Sequence, residues 1–417
     1  MQSATAAGGR PEARLIVMSL PRFCLPLAAA LLLAACRGGS APGPVQFIEE
    51  GMPESLSAWN VVYVADGKLQ LNQRVEPYDL NTPLFTDYAH KLRTVWMPEG
   101  TAARYQPEES FDFPVGTIIS KTFYYPVPES GRGTGDTVLR SDDSGPGLQS
   151  GGLELAKVRL VETRLLVHRA DGWVALPYVW NAEQTEARLM RAGDLVPLQL
   201  VAKDGAVTPL DYVVPDQNQC AGCHGTDLRS KAVFPIGPKA RHLNRDFAYA
   251  DGAANQLERW QSIGYLTDVP ARDVPRAAVW NDDSIDQDAR ARAYLDINCG
   301  HCHSATGPAK TSGMWLNADT RELLRLGRCK LPIAAGTGTG GRAYGIVPGD
   351  PQASILAYRM ASTDPAVMMP EVGRSLAHAE GVQLIEDWIA GMHGNCDPEP
   401  PQQAGGPTQS VAAIKPN

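Results

Sequence analysis

Two copies of one five-residue pattern constrain this chain more than anything else in it: Cys220-Ala221-Gly222-Cys223-His224 and Cys299-Gly300-His301-Cys302-His303. Two thiols three positions apart reach the two vinyl groups of one porphyrin, and the next imidazole then lies under the iron as proximal ligand. With eight Cys and eight His in 417 residues, about 0.003 copies are expected by chance, so the pair is not accidental. The pattern points to two covalently attached haem c groups, one held by Cys220, Cys223 and His224 and the other by Cys299, Cys302 and His303.

A zinc site or a redox dithiol would use Cys-x-x-Cys too, so the remaining cysteines bear on the reading. Cys36 ends Leu33-Ala34-Ala35-Cys36, behind Arg22 and the apolar stretch 23–33. This reads as a secretory signal over 1–36 ending in a lipobox, with Cys36 as the lipidated residue. Cys24 leaves with the signal, and Met18 offers an alternative start. The apolar stretch is too short for a helix across ~30 Å of hydrocarbon. Cys329 and Cys396 then remain, and an exported chain meets an oxidising compartment where they are expected to form a disulfide. Closing a loop of about 67 residues contributes roughly 4 kcal/mol in the chain-entropy picture; two unpaired thiols are the alternative.

A net charge of −8 and the absence of a basic run argue against nucleic acid as a partner. A Gly/Ser/Ala/Pro-containing tether is expected over 37–58, and a Pro/Gln/Gly-rich tail over 397–417 reads as disordered. Between them the text changes from strands to helices. Val61-Val62-Tyr63-Val64, Asp66-Gly67, then Leu69 and Leu71 suggest a hairpin. Strands are also expected over 117–125, 163–168 and 173–180, the last two around Asp171-Gly172, with a mobile insertion at 131–152. From about 271 helices are expected: one over 285–297 with Ser284 and Gln287 as a capping box, one started by Asp350-Pro351, and a last one with Gly381, Leu384, Ile385, Trp388, Ile389 and Met392 on one stripe. The fold class expected is α+β, with a β-rich domain over 59–270 and an all-α domain over 271–396.

A helix ending at Cys-x-x-Cys-His, a Gly/Pro-containing loop, a middle helix, Met369-Pro370 and a closing amphipathic helix together resemble a class I cytochrome c domain over 284–393. The resemblance implies His303 as proximal and Met369 as distal ligand, with Met368 as the alternative. His301, inside the clamp, reads as a polar surface group, and His393 as solvated. Gly336-Thr337-Gly338-Thr339-Gly340-Gly341 matches Gly-x-Gly-x-x-Gly by letter but lacks the preceding strand of a dinucleotide site, so a flexible loop is expected. Residues 113–121, Gly172-Trp173 and the motif ending at His224 resemble the β-sheet haem proteins of the cytochrome P-460 type, which implies a distal side open to small ligands. Met190, His168 and His242 remain alternatives as a sixth ligand there. Over most of the chain, the segments 87–90, 111–121, 162–166, 172–181, 235–239 and 347–370 with both motifs resemble bacterial dihaem c-type cytochromes of unassigned role.

The expected function is electron transfer by a dihaem c-type cytochrome, tethered by lipid in the bacterial cell envelope and facing the periplasm. A redox protein or an envelope dehydrogenase is the expected partner. The alternative is a haem enzyme that oxidises a small molecule or reduces peroxide at the first haem.

Overall fold

The computed structural model describes residues 42–129, 135–140, 152–225, 232–333 and 335–396. The signal with Cys36, the start of the tether, most of the insertion at 131–152 and the tail at 397–417 lie outside the described residues. Strands fill the N-terminal half and helices follow, so the molecule is mixed α and β. Both halves belong to one compact unit that starts at Pro42.

The first hairpin forms where alternating apolar residues meet a turn that only certain residues tolerate. Strands β1 (Val62–Ala65) and β2 (Lys68–Leu71) pair antiparallel with Ala65 opposite Lys68. Asp66 and Gly67 between them both take positive φ, 51° and 70°, as a two-residue type I′ turn requires. The strands that follow are β3 (Glu76–Tyr78), β4 (His90–Trp96), β5 (Ala103–Arg104), β6 (Ile118–Pro126), β7 (Thr137–Leu139), β8 (Leu153–Glu154), β9 (Val158–Arg169), β10 (Gly172–Trp180), β11 (Ala187–Leu189), β12 (Asp194–Val201) and β13 (Val207–Val214).

Six of them make one antiparallel sheet in the order β11-β10-β9-β6-β4-β3. Its centre, β6 and β9, is buried along most of both faces although these strands carry Lys121, Arg159, Glu162 and Arg164 among their apolar residues. Trp59, Leu160, Val167 and Tyr178 fill one core, and Tyr78, Val95, Met97, Ile119 and Trp260 fill another. A smaller sheet, β13-β12-β7, packs Leu198, Leu210 and Tyr212 against Phe123 and Tyr125. Its last strand delivers the chain through Pro215 to helix α1 (Gln217–His224).

Short helices α2 (Ala240–Leu243) and α3 (Gln256–Ser262) lead to α4 (Gln287–Leu295), α5 (Leu323–Leu326), α6 (Ile355–Ala361) and α7 (Ala379–Ala390). Two helix starts differ from expectation. Asp286, not Ser284, caps α4, its carboxylate accepting from Ala289 N, while the Ser284 hydroxyl donates to Asp282. A carboxylate one residue from the first turn is the stronger acceptor for the free amides there. Helix α6 begins at Ile355 rather than at Pro351: Asp350 accepts from Ala353 N as a cap would, but Ile355 N and Leu356 N donate to the Tyr344 and Gly345 carbonyls instead of continuing a helix from Pro351. Helix α7 buries Gly381, Leu384, Ile385, Trp388 and Ile389 as its stripe predicts. Where α7 crosses α4, a side chain at Gly381 would come within 2.5 Å of the Tyr294 ring, so only glycine allows the approach. Residues Gly336–Thr339 form a single 3-10 turn.

Candidate functional site

Each motif rides on a capped or braced helical end. Asp216 closes a reciprocal capping box on α1: its carboxylate accepts from Asn218 N and Gln219 N, and Gln219 returns a bond to Asp216 N. This fixes the turn that carries Cys220, Cys223 and His224. Phe234 then holds His224 twice, donating its N–H to the His224 carbonyl at 2.9 Å and accepting from Nδ1 at 2.7 Å. The Nδ1 bond selects the tautomer whose Nε2 lone pair is free, the arrangement a metal-ligating imidazole uses. Burial and the nearby Lys121 ammonium push the His224 pKa down to about 4, so the ring is neutral at neutral pH.

Cys220, Cys223 and His224 line one side of a cavity with about 1150 Å³ of empty space, partly open to solvent. That space includes the solvent at its mouth. Leu80, Leu166, Ala175, Ile236 and Pro238 supply apolar walls. Another part of the lining is charged in a way no single strand discloses. Arg93 on β4 lies directly across from Lys121 on β6, and Lys121 directly across from Arg164 on β9. Three cations thus form a row across the sheet, with Lys91 beside them on the same face of β4. Like charges directly opposite on neighbouring strands repel.

Carboxylates offset only part of this row. Arg93 pairs with Asp79 at 2.7 Å, and Arg164 with the fully buried Glu162. Lys91 donates only to the Ala89 carbonyl, and among the described residues no carboxylate pairs with Lys91 or Lys121. Burial, followed by Arg164 and Arg93, pushes the Lys121 pKa down to about 7. Burial and the neighbouring Arg93, Lys121 and Arg164 likewise push Lys91 well below the ordinary lysine range, so both amines take up full charge only beside an added anion, and the two propionates of a haem are such anions; the residues of the first motif fit that group.

The second motif begins in a π turn, Asp296–Gly300, that continues α4. Cys302 N and His303 N both donate to Cys299 O. His303 Nδ1 meets Ser312 Oγ at 3.2 Å, and burial pushes the ring down to about 4. Cys299 and Met369 line a common cavity of about 340 Å³ with Phe85, Tyr294, Met360, Pro370 and His378. Met368 is buried away from it. Arg374 braces the Met369 loop by donating to the carbonyls of Arg359, Met360, Ser362, Met369 and Leu376. Cys302 and His303 do not line this cavity, so the second motif fits a haem in part: one thiol and the expected distal thioether meet, while the other thiol and the imidazole face elsewhere.

The remaining singled-out residues have other work. His242 is buried against Asp296, His168 stacks on Trp173 and bonds Pro114 O, and none of His168, Met190 and His242 lines the first cavity. His301 is half-buried rather than a surface group, and sits within hydrogen-bond reach of Cys223. Cys329 and Cys396 are joined at disulfide distance, with Cα atoms 5.1 Å apart. The row of Arg93, Lys121 and Arg164, with Lys91, was not singled out in the sequence; its only signal is alternation-breaking charge inside otherwise apolar strands.

No protein-family model, curated protein or solved structure matches the chain.

Proposed function

We propose that the protein is a dihaem c-type cytochrome that carries electrons in the bacterial cell envelope, tethered by lipid on Cys36. The observation that carries this reading is the first cavity, which two thiols and a neutral, Nδ1-anchored imidazole share with the buried amines of Lys91 and Lys121 and with apolar walls. In this reading Cys220, Cys223 and His224 hold one haem, and Cys299, Cys302 and His303 the other. Met369 supplies the distal thioether of the second, within a domain of the class I cytochrome c kind. Bound haem supplies a one-electron iron couple, and His/Met ligation raises its potential relative to two imidazoles. The chain's own residues orient the group, exclude water and offset its charge. An envelope dehydrogenase or another redox protein is the partner. Expression with a haem-attachment system and intact-mass measurement tests the reading: two haem masses per chain are expected, and none refutes it.

One observation favours a second reading, an enzyme. Apart from His224, no imidazole or thioether lines the first cavity among the described residues, whereas Lys91 and Lys121 do. A haem there would have room for an exogenous ligand beside amine donors. Absorption spectra with and without cyanide decide: an unchanged spectrum with two six-coordinate haems eliminates this alternative.

A further inference from the structure

The fold sorts the four motif cysteines differently from the sequence. Cys220 lines the first cavity and Cys299 the second. Cys302 lines neither of the two and turns toward the first motif, where its Sγ lies 3.8 Å from the carbonyl oxygen of Gly222. There it stands within hydrogen-bond reach of Cys223. Cys302 thus meets a thiol 79 positions away in sequence, while Cys299, its neighbour in the motif, faces Tyr294, Met360 and Met369.

We propose that in the haem-free chain Cys223 and Cys302 form a disulfide between the two motifs, so that one bond withholds a sulfur from each and closes both to thioether formation until it is reduced. The bond itself stands apart from the dihaem reading; its consequence for haem attachment rests on that reading. Both thiols are held in place by the fold. On one side the capping box fixes α1, and Phe234 holds His224, the residue after Cys223. On the other, Cys302 N donates to Cys299 O at 3.1 Å, and the Cys302 carbonyl accepts from Ala309 N at 3.0 Å. Asp296, which opens the turn leading to Cys302, is bound by Arg241 at 2.7 and 3.1 Å and by His242 at 3.2 Å, side chains from the half that carries the first motif. The folded chain therefore meets in advance the ordering cost of bringing the two sulfurs together. Both are half-buried rather than sealed in, so a small disulfide reaches them, and an exported chain meets a compartment in which such bonds persist. In the exchange, one cysteine sulfur attacks the oxidant's disulfide and releases one small thiol, and the other cysteine then attacks the mixed disulfide and releases the second. The two cysteine protons leave on the two released thiols, and the two electrons reduce the oxidant.

Peptide mapping tests this on the full chain made without a haem-attachment system, equilibrated with oxidised glutathione, alkylated and digested without reduction. The Cys329–Cys396 bond serves as internal reference. The expected main oxidised species is a cross-link that joins the peptides of the two motifs; it persists in C220S/C299S and is lost in C223S. Disulfides inside each motif, or four alkylated motif cysteines beside an intact Cys329–Cys396 bond, overturn the proposal. If the variants fail to fold, the wild-type map decides alone, because a bond inside a motif leaves the two peptides separate. Failure of the dihaem reading shows elsewhere, as chains that carry no haem after expression with the attachment system, so the two can fail independently.

Discussion

At the scale of single residues, the cation row under the first motif decides most. Lys121 sits between Arg93 and Arg164 without a carboxylate of its own, and its pKa of about 7 lies below the ~10.4 of a free lysine. A lowered lysine pKa means the unfolded chain binds the proton more readily. The destabilisation is therefore full below pH ~7 and fades as pH rises toward ~10. Haem-free protein is expected to gain stability across that window. Lys121→Met is expected to stabilise the haem-free chain at pH 6 by on the order of 1–3 kcal/mol, allowing for the water that the cavity admits, and to flatten the rise. Urea denaturation at several pH values measures both; parallel curves for wild type and variant would contradict the assignment of the charge. At the second motif, Met369→Ala is expected to remove the thioether-to-iron absorption band and lower that haem's potential. An unchanged band would reassign the ligand.

At the scale of elements, the anchors of the two motifs differ in kind. Helix α1 has only eight residues and depends on its cap, since short helices are marginal without one. Asp216→Ala is expected to cost about 1 kcal/mol and to slow haem attachment at the first motif more than at the second, read as the fraction of singly loaded chains by mass. Equal loss at both motifs would count against a local effect. Much of this level was readable from the sequence. The hairpin at Asp66-Gly67, the strands around Asp171-Gly172 and the stripe of α7 follow from turn chemistry and periodicity, which act over a few neighbouring residues. The start of α6 did not follow, because Ile355 N and Leu356 N pair with the carbonyls of Tyr344 and Gly345, a contact that the local cap signal at Asp350 does not announce. The cation row was invisible for a different reason. Arg93, Lys121 and Arg164 lie 28 and 43 positions apart, and a side chain's partner across a sheet is set by register, not by sequence distance.

At the scale of the whole molecule, reading the two halves as separate domains conceals a joint on which both motifs depend. Asp296 belongs to the turn that carries Cys299, yet its partners Arg241 and His242 follow the first motif on α2. Burial alone would raise the pKa of this carboxyl, but hydrogen bonds from His242 and Arg241 overcome that and hold it well below the usual carboxylate range. A depressed carboxyl pKa contributes stability that is present above the unfolded value of ~3.9 and is lost as pH falls toward the folded value. Removing one partner of such a buried group leaves the other charge stranded, at a cost of about 3–5 kcal/mol. Asp296→Ala is therefore expected to lower the denaturation midpoint strongly and to free Arg241. Arg241→Ala should lower the midpoint too, by unseating the carboxylate from the other side. Midpoints that stay at the wild-type value in both variants would mean that the pair of Asp296 with Arg241 adds no stability to this joint.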